Sequence, residues 1–313
     1  MFAAFLAAFF FALNATCARH SVRAVGTLRA NLGRLVIAAL LLGLFAHTVG
    51  HGFASVSVGW FMLSGLIGMG LGDLGVYGAL PLLGSRLTVL MTQCLAAPIA
   101  ALGEWLWLGT KLTSQQVFWG SVILVGVAVA VMPSKPSVYR DEDLQKRAPK
   151  VHVKPIGFLF GLLAAAGQGF GALVSRKGVT VAAAAGEHVT NATFGLTATY
   201  HRILAGLMFI GLWILVLRLF RRLPPAPVVS PAVRRTSARW MLANALAGPV
   251  AGVGCYQWAL ATTPSGLVLP IAATTPLLAI PIAFWLEGDR PTRRSILGAV
   301  IAVAGCIALT LNR

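Results

Sequence analysis

The chain has 313 residues, 58% of them hydrophobic and 11% charged, with a mean hydropathy of +0.82. Soluble domains carry about 25% charged residues, so a water-soluble fold is excluded, as are disordered, collagen-like and disulfide-rich secreted chains. The net charge of +17 comes from 25 Lys and Arg against 8 Asp and Glu, set between apolar runs. That placement marks orientation and contact with anionic headgroups rather than nucleic-acid binding.

At roughly 20 apolar residues per span, the sequence predicts an all-α polytopic membrane protein. Ten helices are expected at 1–18, 33–50, 57–80, 84–108, 115–132, 156–174, 197–219, 239–261, 265–286 and 295–311. The first has no basic segment before it, since the first Arg is Arg19, so it reads as a membrane helix rather than a cleaved signal. Cys17, Cys94, Cys255 and Cys306 all lie in apolar runs without a CxxC spacing and read as packed thiols. The one strongly polar stretch, 133–154, holds Asp141, Glu142 and Asp143 with six basic residues. It separates a first unit, 1–132, from a second, 155–313.

The two units repeat. Tyr77-Gly-Ala-Leu80 leads to Leu108-Gly-Thr-Lys-Leu-Thr113 and then to Gly120 and Gly126. Tyr256-Gln-Trp-Ala-Leu260 leads in the same way to Gly288-Asp-Arg-Pro-Thr292, Gly298 and Gly305. Gly68 and Gly72 recur 180 residues on as Gly248 and Gly252, and Arg34-Leu35 recurs as Arg202-Ile203. Five spans per copy return the chain to the opposite side, so the second copy inserts upside down. Two inverted five-helix repeats are a common plan for secondary transporters.

The loops after helices 1, 3, 5, 7 and 9 carry 20 of the 25 basic residues. By the positive-inside rule these loops and the linker are cytoplasmic, and both termini face outward.

These paired segments resemble the drug/metabolite transporter superfamily, in particular its ten-helix EamA type. The resemblance rests on Ala79-Leu80 leading to Leu108–Thr113, and on Ala259-Leu260 leading to Gly288–Thr292. In that family the segment commonly reads Leu-Gly-Glu-Arg-x-Thr, and here Thr110 and Asp289 stand at the Glu position. The resemblance implies transport of metabolites such as amino acids, nucleotides, sugars or drugs, often outward. It also implies a cavity formed largely by helices 1, 3, 4, 6, 8 and 9. Members commonly keep both termini in the cytoplasm, against the charge count, which is retained here.

Asp73 is the acidic residue placed well inside a span, in Gly70-Leu-Gly-Asp73-Leu-Gly75. A charge at bilayer depth costs about 2.5–3.5 kcal/mol on insertion scales and faces a cavity or a partner. It is the candidate proton- or cation-binding group, against the plainer reading of a carboxylate bonded to a neighbouring helix. Neutral polar candidates for a substrate path are Asn14, Tyr77, Thr92, Gln93, Gln168, Asn244, Tyr256, Gln257, Thr274 and Thr275, each of which could instead tie helices together. Gly68, Gly72, Gly248 and Gly252 are expected to be helix-packing positions.

Glu104, beside Trp105 and Trp107, is expected at the membrane interface. Glu287 and Asp289, with Arg290 and Arg293, are expected in a structural turn. Arg34 and Arg202 could grip an anionic substrate from opposite sides, but snorkelling to the headgroups is favoured. His47 and His51 have metal-pair spacing without a third ligand, so no metal or cofactor is expected. Asn14-Ala-Thr16 and Asn191-Ala-Thr193 match a glycosylation pattern and are discounted.

The expectation is an inner-membrane transporter of a small metabolite, working outward by alternating access, with proton coupling through Asp73. The alternatives are a polytopic membrane enzyme and a sensor. The enzyme lacks a Gly-x-Ser-x-Gly, HExxH or DxxxD pattern, and the sensor lacks a soluble input domain.

Overall fold

A computed structural model describes residues 1–131, 155–222, 231–287 and 292–311, apart from the side chains at a few of these positions. In lipid, only helices or closed barrels satisfy the backbone internally. Here every regular element among the described residues is helical. α1 (Phe2–Val25), α2 (Thr27–Thr48) and α3 (Val58–Gly65) come first, and α3 runs through a π-helical segment (Leu66–Gly72) into α4 (Asp73–Leu108). α5 (Ser114–Val131), α6 (Pro155–Ala184) and α7 (Ala192–Leu219) follow. α8 (Pro231–Ala245) runs through a second π segment (Leu246–Gly252) into α9 (Val253–Thr262). α10 (Ser265–Ala272), α11 (Thr275–Glu287) and α12 (Arg293–Leu311) complete the order.

Among the described residues seven helical stretches, among them Leu28–Thr48, Pro155–Ala184 and Arg293–Leu311, are long and apolar enough to cross a membrane. Phe2–Ala18 and Ser265–Ala279 are shorter apolar helices. Leu40, Leu44, Leu106, Met208 and Leu219 are exposed on the outer surface, as lipid contact requires. The interior is built from small residues: Ala4, Ala7, Ala8, Ala12, Ala164, Ala165 and Ala172 are fully buried. Between membrane helices, close backbone approach supplies the attraction that the hydrophobic effect cannot.

Several boundaries differ from the sequence reading. α6 extends ten residues beyond the predicted 174. It carries Arg176 inside, because Glu104 and the Leu260 carbonyl satisfy that guanidinium. The expected turn near 81–83 falls within the bounds of α4, and the chain reverses there. Leu82 and Leu83 lie against Gly157 at the start of α6. Trp60 and Phe61 on one side of the reversal, and Glu104 on the other, both meet the far end of α6 at Gly178 and Arg176. The predicted helix 265–286 is broken at Ala273–Thr274, because Pro276 cannot donate the bond that would continue it. Asn191 caps α7, its side chain accepting from the Phe194 amide at 2.8 Å. The linker 133–154, the predicted second unit's last two residues, and the turn residues Asp289 and Arg290 lie outside the described residues.

The two π segments stand 180 residues apart, Leu66–Gly72 and Leu246–Gly252. The first packs on α6, where a Cβ at Gly72 would touch the Gly167 Cα at 3.4 Å and one at Gly171 would meet the Gly68 Cα at 3.0 Å. The second packs on α1, where a Cβ at Gly252 would meet the Phe11 ring at 2.7 Å and one at Gly248 would strike the Asn14 amide. Each wide-turn segment thus lies on the first helix of the other half. α5 and α12 pair antiparallel. Ile123 meets Gly305, Gly126 meets Ala302, Ala130 meets Gly298, and Ser295 Oγ donates to the Ala130 carbonyl at 3.1 Å.

Candidate functional site

The two π segments open a cavity of about 230 Å³ between the halves. Wide π turns displace the backbone and recur at functional sites, and here glycine and Pro249 make them affordable. Met69 and Asp73 line the cavity from the first segment and its exit, and their counterparts 180 residues on, Pro249 and Val253, line it from the second. The cavity is therefore two-fold in plan, with one side polar where the other is apolar.

Its polar wall comes from six helices: Asn14 of α1, Arg34 of α2, Asp73 and Gln93 of α4, Gln168 of α6, Arg202 of α7 and Tyr256 of α9, with Gly248 of the second π segment alongside. Phe11, Ala96, Leu269 and Ala272 supply apolar surface. Arg34 Nη2 lies 3.6 Å from Asp73 Oδ2, and Arg34 Nε donates to Asn31 Oδ1 at 2.7 Å. Arg202 is 4% exposed. Its Nη1 donates to Ser175 Oγ at 2.7 Å and to Gln257 Oε1 at 3.2 Å. Gln257 Nε2 also donates to Ser175 Oγ, at 3.0 Å, and Ser175 shares a bond with Ser64 at 2.8 Å. Asn14 Oδ1, Asp73 Oδ2 and Arg202 Nε are buried without a hydrogen-bond partner. Such leftover capacity is costly in a closed interior and points to a ligand or water.

The structure divides the sequence candidates. Asn14, Asp73, Gln93, Gln168 and Tyr256 stand in the cavity wall. Gln257 does not reach the wall and stands behind Arg202, orienting it. Thr92 is turned into its own helix, donating to the Thr88 carbonyl at 2.8 Å. Thr275 donates at 2.6 Å to the Ala272 carbonyl, which Pro276 cannot serve, and Thr274 donates at 2.7 Å to the Ile271 carbonyl, which also accepts from the Thr274 amide. Asn244 donates to Ser21 Oγ at 3.1 Å, tying α8 to α1. Tyr77 lies on α4, but its side chain is outside the described residues. At Gly68, Gly72, Gly248 and Gly252 a Cβ would meet a neighbouring helix, and Gly248 also lines the cavity.

One expectation is corrected. Arg34 and Arg202 do not snorkel. Both stand in the cavity wall, where Asp73 and the Ser175–Gln257 pair hold them. Their recurrence at matching positions of both halves was the signal available in the sequence. Glu104, near the end of α4 beside the half-exposed Trp105 and Trp107, is buried against protein. It is 2% exposed, pairs with Arg176 Nε at 3.0 Å, and accepts from the Ser265 amide at 2.6 Å and from the Ser265 hydroxyl. The π segments were also missed, although their Gly-rich heptads at a fixed offset were visible.

Among the described residues no cluster of His, Cys, Asp and Glu could hold a metal ion. A second, larger groove of about 610 Å³ between α4, α5 and α10 is mainly apolar, with Lys111 and Gln116 at its edge and no buried ion pair.

A family model described as the EamA-like transporter family matches residues 1–132 and 155–311. A solved structure, titled only as the crystal structure of a protein, is 17% identical and covers 99% of this chain and 96% of its own, with a TM-score of 0.71. That likeness concerns the fold. No curated protein matches the sequence.

Proposed function

Because the chain belongs to the EamA-like transporter family, we propose that it moves a small polar or amphipathic metabolite across the membrane by alternating access, with the cavity as its substrate site. The observation carrying this reading is a cavity built by both halves at equivalent positions, holding charged side chains with unused hydrogen-bonding capacity. A site on the boundary between two similar halves can be exposed to either side as they rock.

In this reading the chain makes ten spans in two inverted halves, 1–132 and 155–313. The antiparallel pairing of α5 with α12 supports it. These helices correspond in sequence, so a two-fold axis relating them lies across the helices, in the membrane plane. The basic loops and the central linker face the cytoplasm of a bacterial inner membrane and meet anionic headgroups. Transport runs outward, and nucleic acid has no part in it.

Asp73 couples the cycle to protons. When it is ionised it pairs with Arg34. When it takes a proton, the pair loosens and Arg34 becomes free to turn toward a ligand. No other carboxylate among the described residues lines the cavity.

The test is mass-spectrometric profiling of the medium around cells expressing the chain, its Asp73→Asn variant, or neither. A compound that accumulates outside only with the unmodified chain is expected. If the correctly inserted protein changes nothing outside the cell, outward transport is wrong.

A further inference from the structure

Resting on the reading of the cavity as a substrate site, we infer that the ligand is a monocarboxylate with an apolar or aromatic body, that Arg202 holds its carboxylate, and that no ammonium group is needed. Among the described residues Arg34, Arg176 and Arg202 bring guanidinium groups into the helical bundle, and the first two have an acidic partner. Arg34 is 3.6 Å from Asp73, and Arg176 is 3.0 Å from Glu104. Arg202, the most deeply buried of the three, has no carboxylate within ion-pair distance among the described residues. Asp73 acts on it only through space, without a contact pair, and neutral bonds compensate a buried charge only in part.

The neutral partners orient this cation without neutralising it. Ser175 and Gln257 both engage Nη1, and each is bonded to the other, so the fork is fixed from one side. Nε has no partner, and it shares with Nη2 the edge that a carboxylate grips side-on. Gly68 stands beside Nη2, where a Cβ would come within 3.0 Å. A larger residue there would crowd the guanidinium.

Charge balance gives the ligand's sign. Arg34, Arg202 and Asp73 leave the cavity wall at +1, and Arg34 already answers Asp73. A single negative charge completes the balance. An ammonium would compete with Arg34 for Asp73 and restore no balance. The unpartnered Asn14 Oδ1 accepts a neutral donor such as a hydroxyl. The body of the ligand meets Phe11 and Tyr256, whose ring centroids are 6.3 Å apart, together with Met69 and Leu269. At about 230 Å³ the space is below the roughly 300–1,000 Å³ of drug-sized pockets and suits a metabolite of one ring or a branched chain.

The test uses the full chain in lipid nanodiscs and four probes sharing one ring: phenylacetate, phenylacetamide, phenethylamine and phenylalanine. Calorimetric titration should show phenylacetate binding at least tenfold tighter than the amide or the amine, and no weaker than phenylalanine. Arg202→Gln should abolish the preference for the acid, and Arg202→Lys should keep part of it. Equal binding of acid and amide, tighter binding of phenylalanine or the amine, or no binding of any probe overturns the inference. The order on the unmodified protein decides the matter even if Arg202→Gln fails to fold. Labelled phenylacetate and proteoliposomes separate this inference from the transport reading. Binding without flux breaks transport and leaves the anion site, whereas cellular export of an amine leaves transport and breaks the anion site.

Discussion

Among the described residues two arginine–carboxylate pairs lie inside this protein, and they differ in what they leave unused. At one end of the bundle Glu104 joins α4 to Arg176 of α6 and to the first residue of α10. Arg176 in turn holds the Leu260 carbonyl at 2.6 Å at the end of α9. Both Glu104 oxygens are engaged, and the group is sealed from outside. In the cavity Arg34 and Asp73 stand 3.6 Å apart, each about one-fifth exposed, with Asp73 Oδ2 lacking a hydrogen bond. The same residue types therefore do different work. Saturated bonding makes a fastener, and unsaturated bonding beside open space makes a site that can accept a ligand or a proton.

The strongest way to break this comparison is to cut the fastener. Glu104→Ala leaves the Ser265 amide without its partner and Arg176 without its counter-charge, holding only the Leu260 carbonyl, and breaking such a pair costs about 3–5 kcal/mol. The expected outcome is loss of monodisperse protein in size-exclusion chromatography of the detergent-solubilised chain. A normal profile would place Glu104 with the cavity pair rather than apart from it.

Gly167→Leu tests the seam on which the cavity sits. Its Cβ would meet the Gly72 amide nitrogen at 2.8 Å, and the obstacle is backbone rather than a movable side chain. The cost should reach or exceed the about 1–3 kcal/mol of ordinary overpacking, read as a lower unfolding midpoint and reduced yield. Gly72→Leu should act in the same sense from the other side.

Asp73→Asn sharpens the contrast from the cavity side. The pair is partly exposed, so its loss should change stability by less than about 1 kcal/mol. Flux measured in proteoliposomes across a pH gradient should nevertheless lose its dependence on that gradient. Retained dependence would remove Asp73 from coupling.

Thr274→Val should do least. Its hydroxyl serves the Ile271 carbonyl of its own helix rather than the cavity, so the change should cost at most about 1 kcal/mol and leave the substrate spectrum unaltered. A shift in substrate preference would mean that the break between α10 and α11 reaches the ligand.

The site was only partly legible in the sequence, and the reason is physical. A helix in lipid is apolar on every face, so hydropathy marks the span without marking its inward side. Asn14, Gln93 and Gln168 resemble Thr92, Asn244 and Thr274 in the sequence, each a lone polar residue in an apolar run. Rotation of each helix about its axis divides them. The first three face the cavity, whereas the others bond to a carbonyl of their own helix or to Ser21. Arg34 and Arg202 read as headgroup contacts because length and stiffness allow snorkelling. Their inward placement depends on Asp73, Ser175 and Gln257, which are distant in sequence.

The sequence by itself determined the class of the protein, because apolar runs of span length cannot fold otherwise. It also determined the internal duplication, because matching glycines and Tyr77 with Tyr256 recur at a nearly fixed offset. The Gly68, Gly72, Gly248 and Gly252 positions were readable as packing sites, since close helix approach demands small residues wherever the helices turn. The tertiary structure alone decided that the π segments at these glycines lean on the opposite half and open the cavity between them. It also decided that Glu104 closes one buried charge while Arg202 leaves another open. Both outcomes depend on which side chains meet across more than 50 residues of chain, and no local pattern encodes that meeting.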